Sequence, residues 1–168
     1  TCIQTITIDD NVNPTGTAPA NITVECIGDV PAANPALITD EADNCAIQSV
    51  THLGDASNGL SCPETITRTY RITDVCGNFI DVDQTITVDD TQPPVFAAPP
   101  ANVTVECIGD VPAMTNLNWT DNCDGAGNVA GVDGALVGGP CGGTITRTWT
   151  YTDNCGNVAI ETQTITVD

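Results

Sequence analysis

The chain states one pattern twice. The run Ala-Asn-Ile-Thr-Val-Glu-Cys-Ile-Gly-Asp-Val-Pro-Ala at 20–32 returns at 101–113 with one change, Val103 in place of Ile22. Thr65-Ile66-Thr67-Arg68-Thr69 returns at 144–148, and Asp74-Val75-Cys76-Gly77-Asn78 returns as Asp153-Asn154-Cys155-Gly156-Asn157. A period of about 80 residues is too long for a solenoid turn and suits a small independent domain. Such a duplication serves reach, or many weak contacts, better than a single active site.

The boundary between copies is legible. Val88-Asp89-Asp90-Thr91-Gln92-Pro93-Pro94 ends one copy and opens the next, and Ile8-Asp9-Asp10-Asn11-Val12-Asn13-Pro14 is the same junction one copy earlier. Prolines there stiffen the junction and cannot sit in a central strand. The pattern therefore predicts domains at 9–88 and 89–168. Residues 1–8 match the last strand of a preceding repeat.

Within each copy the apolar runs are short and alternate with a period of two. Ile66, Arg68, Tyr70 and Ile72 share one face, and Gln84, Ile86 and Val88, like Gln163, Ile165 and Val167, repeat the alternation. Val, Ile and Thr in this pattern, punctuated by Gly, Asn, Asp and Pro, are strand chemistry. No convincing helix pattern is present. Several short strands in about 80 residues predict an all-β antiparallel sandwich.

Domains this small bury limited surface and often need covalent help. Nine cysteines meet that need: Cys26, Cys45, Cys62 and Cys76 in the first copy, Cys107, Cys123, Cys141 and Cys155 in the second, and Cys2 outside both. No pair has C-x-x-C spacing, and the single His52 has no evident ligand set. Structural disulfides, and hence an oxidising compartment, are the expected use. The charge is −19, from 22 acids against three arginines and no lysine. Nucleic acid and anionic membranes are poor partners for such a surface, whereas divalent cations are good ones. No apolar run of about 18 residues offers membrane insertion.

Several motifs, in order, resemble the hyalin-repeat (HYR) family and its bacterial HYR-like relatives. They are the D-D-T-x-P-P opening (Asp89 to Pro94), the P-A-N-V-T-V-E-C strand (Pro100 to Cys107), the Y-x-x-x-D-x-C-G-N corner (Tyr70 to Asn78), the closing Q-T-I-T-V strand (Gln84 to Val88), and Asn118-Trp119. The resemblance covers nearly the whole chain and is nearest to repeats of very large surface adhesins in gliding bacteria. It implies two tandem immunoglobulin-like or fibronectin-III-like β-sandwiches of an extracellular adhesion protein. One departure stands out. The family often pairs a first-strand cysteine with one in the last strand, but here those positions hold Ala18, Pro99, Val82 and Glu161. Cys2 alone keeps the last-strand position, so its expected partner lies in a preceding domain or another subunit.

Four cysteines per copy allow three pairings. Cys62 and Cys76 bracket a strand spanning roughly 30 Å, too far for a disulfide, which removes that pairing and Cys26–Cys45 with it. The immunoglobulin-like strand order that the resemblance implies then selects Cys26–Cys62 with Cys45–Cys76, and Cys107–Cys141 with Cys123–Cys155.

Head-to-tail stacking of such domains would bring Asp89 and Asp90 toward Asp121, Asp124 and Asp153, with Asp9, Asp10, Asp43 and Asp74 as equivalents one repeat earlier. This resembles the calcium-stiffened junctions of cadherin-like arrays, and calcium favours such oxygens. The competing expectation is that these acids only cap turns. Arg68 and Arg147 share the inward phase and should find carboxylates, with Glu25 and Glu106 as candidates. Asn21, Asn102 and Asn118 head glycosylation triplets that arise readily in a Thr-rich chain. There is no G-x-S-x-G, His52 has no nucleophile beside it, and Trp119, Trp149, Tyr70 and Tyr151 follow the core phase.

The expected function is a non-enzymatic structural or adhesive segment at a bacterial cell surface, a disulfide-stapled stalk or fibre. Its partners would be neighbouring repeats or identical subunits, with surface polysaccharide as a further candidate. One alternative is a filament subunit joined through the N-terminal strand or Cys2. The other is a carbohydrate-binding module, which would require solvent-exposed aromatics.

Overall fold

A computed structural model describes residues 2–7, 9–139 and 142–168. It divides into two compact units, with the division between Asp89 and Asp90, one residue beyond the expected boundary. The fold is all-β, as two tandem immunoglobulin-like sandwiches require.

In the first unit, β1 (Ile22–Val24), β2 (Ile47–Ser57), β3 (Glu64–Asp74) and β4 (Phe79–Val88) form one sheet in the order β1-β4-β3-β2. β1 runs parallel to β4, and the other pairs are antiparallel. The facing layer has little regular structure. It is a bridge between Thr15 and Ala42 and a single turn at Pro35–Leu37, leading to buried Ile38. The Pro- and Asn-containing run 31–37 has no strand alternation, which explains the irregularity. Ile38 packs with Tyr70 and Ile72, while Ile66, Ile86 and Val88 form a second cluster with Ile22 and Val24.

In the second unit the strands are β5 (Val95–Phe96), β6 (Val103–Val105), β7 (Asn116–Asp121), β8 (Gly125–Ala130), β9 (Val132–Asp133), β10 (Val137–Gly139), β11 (Gly142–Thr152) and β12 (Val158–Val167). One sheet has the order β10-β11-β12-β6, with β9 also on β11, and the other has β5-β7-β8. Trp149, Ile145, Ile165, Val167, Leu117 and Trp119 are its buried apolar residues. Gly127 and Gly131 lie against the two indoles. A Cβ at Gly127 would stand 2.7 Å from Trp119, and one at Gly131 would stand 2.9 Å from Trp149.

Alternation decides what faces inward. Along β3, Ile66, Arg68, Tyr70, Ile72 and Asp74 are buried, and along β11 Ile145, Arg147 and Trp149 are. Arg68 donates to Asp55 through Nε and Nη2 at 2.9 and 2.8 Å and to the Pro31 carbonyl at 2.9 Å. Arg147 grips Asp133 in the same fork and also reaches the carbonyls of Pro112 and Ala113. The expected partners Glu25 and Glu106 are thus corrected. Asp55 sits directly across from Arg68 in register, and Asp133 across from Arg147. Glu25 follows β1, which is separated from β3 by β4.

The closing strands are pinned by side chains. Gln84 donates to the Ala20 carbonyl and Gln163 to the Ala101 carbonyl, both at 2.7 Å. Asn21 accepts from the Thr85 N–H and Asn102 from the Thr164 N–H, both at 2.8 Å. These two triplet asparagines therefore have structural work. Residues 2–7, which repeat the closing-strand sequence, are exposed and enter no strand among the described residues.

Candidate functional site

One end of each unit gathers the acids, the asparagines and one cysteine pair. In the first unit the Asp10 carbonyl and carboxylate are both held. The carbonyl accepts from Asn78 Nδ2 at 3.0 Å, and Oδ1 accepts from the Val12 N–H and Asn44 Nδ2, both at 3.1 Å. Asp43 Oδ2 accepts from the Cys45 N–H at 2.7 Å. The second unit repeats this. Asn157 Nδ2 donates to the Asp90 carbonyl at 2.9 Å, the Gln92 N–H and Asn122 Nδ2 donate to Asp90 Oδ1 at 3.1 Å, and Asp121 Oδ1 accepts from the Cys123 and Asp124 N–H groups. One oxygen each of Asp10 and Asp43, with Cys45 Sγ, lie within 4.8 Å of one another, as do those of Asp90 and Asp121 with Cys123 Sγ.

Five of the nine suspected acids lie outside these two groups. Asp74 accepts from the N–H groups of Cys76 and Asn78 and from Asn78 Nδ2, and Asp153 does the same with Cys155 and Asn157. Asp124 caps Asn154 through its N–H and Nδ2. Asp9 is exposed beside Asn11, and Asp89 Oδ1 lies 3.5 Å from Cys62 Sγ. Asp89, expected to open the second domain, falls in the first unit, whereas Asp90 falls in the second. Asp90 is held there by that domain's own Asn122 and Asn157.

The corner aspartates carry a pH dependence. Burial pushes the Asp74 carboxyl up, but the Asn78 side chain and the N–H groups of Asn78, Cys76 and Gly77 outweigh it, so its pKa falls below the ordinary value. Asp153 is depressed by the same balance, with Asn157, Cys155 and Gly156. A carboxyl whose folded pKa is depressed adds stability above its unfolded pKa of about 3.9, and that stability is lost as pH falls through the folded pKa. The melting temperature should therefore be flat from about pH 7 to 5 and fall below about pH 4. Asp74→Asn with Asp153→Asn should melt lower at neutral pH and show a shallower acid decline, as followed by circular dichroism.

The cysteines differ between the copies. Cys26 and Cys62 are disulfide-bonded in the first unit, and Cys123 and Cys155 in the second. Cys45 and Cys76, expected as a bonded pair, are free thiols, as are Cys2 and Cys107. A hydrogen bond to Asp10, then burial, then the charges of Asp10 and Asp43 push the Cys45 thiol up to about 11, so it is protonated and poorly nucleophilic. Cys141 lies outside the described residues, and with it the Cys107–Cys141 expectation.

Two features bear on the remaining alternatives. His52 is exposed, 2.8 Å from Asp55, with no nucleophile among its hydrogen-bond partners. Trp149, Tyr70 and Trp119 are buried, and Tyr151 stacks on Trp119 at 3.7 Å, so these aromatics do not form an open sugar-stacking face.

No helix among the described residues is long and apolar enough to cross a membrane. Among curated proteins none matches the chain. A family model described as an HYR-like domain with four cysteines matches residues 14–88 and again 95–167. With four cysteines in each copy and most of its length covered by the two matches, the chain belongs to the family of HYR-like domains with four cysteines and is a tandem pair of extracellular-type repeat modules.

Proposed function

We propose that the chain is a non-enzymatic structural or adhesive segment of a bacterial cell-surface protein, working as a stalk or fibre of covalently stapled beads. The observation that carries this reading is the repeated domain with cross-links in each copy. Duplication supplies length, and cross-links supply resistance to load and proteolysis. The acidic surface keeps a dense array soluble and mutually repelling. Repeat equivalence supports the complete set of bonds. Cys45 and Cys76 correspond to the bonded Cys123 and Cys155, and Cys107 and Cys141 correspond to the bonded Cys26 and Cys62. Two bonds per domain are the secreted form under this reading.

A filament remains the second reading, because residues 2–7 carry a closing-strand sequence with Ile3 and Ile6 at 91% and 76% exposure. Ile86 and Ile165, the counterparts of Ile6, are fully buried. Under the stalk reading this segment is the last strand of the preceding repeat in a longer array. Under the filament reading it augments a sheet edge of another subunit.

Single-molecule extension of the full chain tests the load-bearing role. The bond at Cys26–Cys62 takes residues 27–61 out of the loaded path. The oxidised first domain should thus lengthen by roughly 100 Å less on unfolding than the reduced one. Equal lengthening before and after reduction would contradict the proposal.

A further inference from the structure

We propose that each domain holds one hard divalent cation, with calcium the best fit, between two of its own aspartates: Asp10 with Asp43, and Asp90 with Asp121. The first-domain group carries the argument. Asp10 is only 9% exposed, and its Oδ2 is buried with no hydrogen-bond partner. Asp43 Oδ1 is also buried and without a partner. The N–H donors of the loop go to the other oxygen of each carboxylate, Val12 N–H and Asn44 Nδ2 to Asp10 Oδ1 and Cys45 N–H to Asp43 Oδ2, and the only other donor beside the pair among the described residues is the weak Cys45 thiol. The donors hold the carboxylates in place, with one oxygen of Asp10 and one of Asp43 within 4.8 Å of each other and one oxygen of each buried without a partner.

Two unpaired carboxylate oxygens in a buried setting are costly unless something positive lies between them. None of the three arginines is available for this. Arg68, Arg71 and Arg147 are engaged with Asp55, Asp81 and Asp133, and the chain has no lysine. A cation is the complement that fits. The second domain repeats the arrangement with Asp121 Oδ2 buried and unpartnered beside Asp90, itself 5% exposed.

The two copies also fix the ligand class. Each group includes a cysteine sulfur, but Cys123 is disulfide-bonded and offers no thiolate. What the copies share is carboxylate oxygen, which suits calcium or magnesium over zinc or copper. Calcium tolerates an irregular shell completed by water, whereas magnesium demands near-octahedral geometry. In the first domain Asp43 and Asn44 line a surface cleft with Val12 and Thr15, which gives an ion a route in. Two carboxylates per site suit a Kd of about 10⁻⁴–10⁻³ M, the range of extracellular modules.

The test is equilibrium dialysis of the full oxidised chain against calcium chloride in about 0.15 M sodium chloride, which screens diffuse binding to the acidic surface. One saturable calcium per domain is expected. Asp43→Asn should remove one, Asp121→Asn the other, and the double variant both. Asparagine keeps an oxygen for the Cys45 or Cys123 N–H and removes one of the two charges. In chelator, each variant should therefore melt no lower than the parent, which separates loss of the site from loss of the fold. Added calcium should raise the melting temperature of the parent and not of the double variant. Absence of saturable binding, or equal binding and equal thermal response in parent and double variant, overturns the proposal. So does a variant that melts lower than the parent in chelator, because the carboxylate pair would then be a structural contact.

Discussion

Arg147→Ala should destabilise the second domain by about 3 kcal/mol, a fall of roughly 15 °C in its melting temperature. Arg147 is 2% exposed, and its guanidinium holds three partners: the Asp133 carboxylate and the carbonyls of Pro112 and Ala113. Its removal strands all three. Breaking a fully buried pair costs about 3–5 kcal/mol. Asp133 is about a third exposed and regains water, so the lower end applies. The fork geometry matters as well as the charge. Arg147→Lys keeps the charge but cannot reproduce the paired contacts, and should recover only part of the loss. Arg147→Met with Asp133→Ala removes both charges and should be less damaging than Arg147→Ala, because no carboxylate is left without its partner. Urea unfolding of the three variants measures the order. Equal stability of Arg147→Ala and the parent would mean that the arginine is only packed against the carbonyls.

Cys26→Ala with Cys62→Ala should cost the first domain about as much. Cross-linking a loop of this size stabilises by about 4 kcal/mol in the chain-entropy account. The domain has little with which to replace it. Its buried apolar residues are Ile38, Ile66, Tyr70, Ile72, Ile86 and Val88, and one of its two layers is largely irregular. The bonded cysteines sit where β1 and β3 both meet the end of β4. Val24 pairs with Val88, Glu64 pairs with the same Val88, and Asp89 donates its N–H to Val24. Without the bond, the three-residue β1 is left with its few pairings to β4 and the Gln84 and Asn21 hydrogen bonds. Exchange of the Ile22–Val24 amides should therefore accelerate more than that of the β3 centre.

The inward phase of β3 and β11 was legible in the sequence because strand alternation is strict. Ile66, Arg68, Tyr70 and Ile72 cannot change face without a slip of one residue. Which acid answers each arginine was not legible from that pattern. Asp55 and Asp133 lie in Gly- and Ala-containing segments with weak alternation, and β2 carries two register irregularities that set its pairing. A signal was present nonetheless: Asp55 and Asp133 recur at the spacing that relates Cys45 to Cys123. The acidic end of each domain was legible as the recurring Asp-Asp and Asp-Asn-Cys runs. The division between Asp89 and Asp90 was not, because a linear motif does not say which sheet its hydrogen bonds serve. Asn122 and Asn157 decide it, and both act across long sequence separations. The corner aspartates looked like metal ligands for the same reason. Asp74 and Asp153 are fully answered by their own turns, as turn capping predicts.

The account rests on cross-links standing in for a large core. Its most direct measurement is the unfolding of the full oxidised chain by urea, repeated after complete reduction. The account predicts that reduction lowers the midpoint of both domains steeply and leaves the chain largely unfolded near 37 °C, as for small secreted domains that lose native disulfides. An unchanged midpoint would show that the sheets hold without their staples and would contradict it.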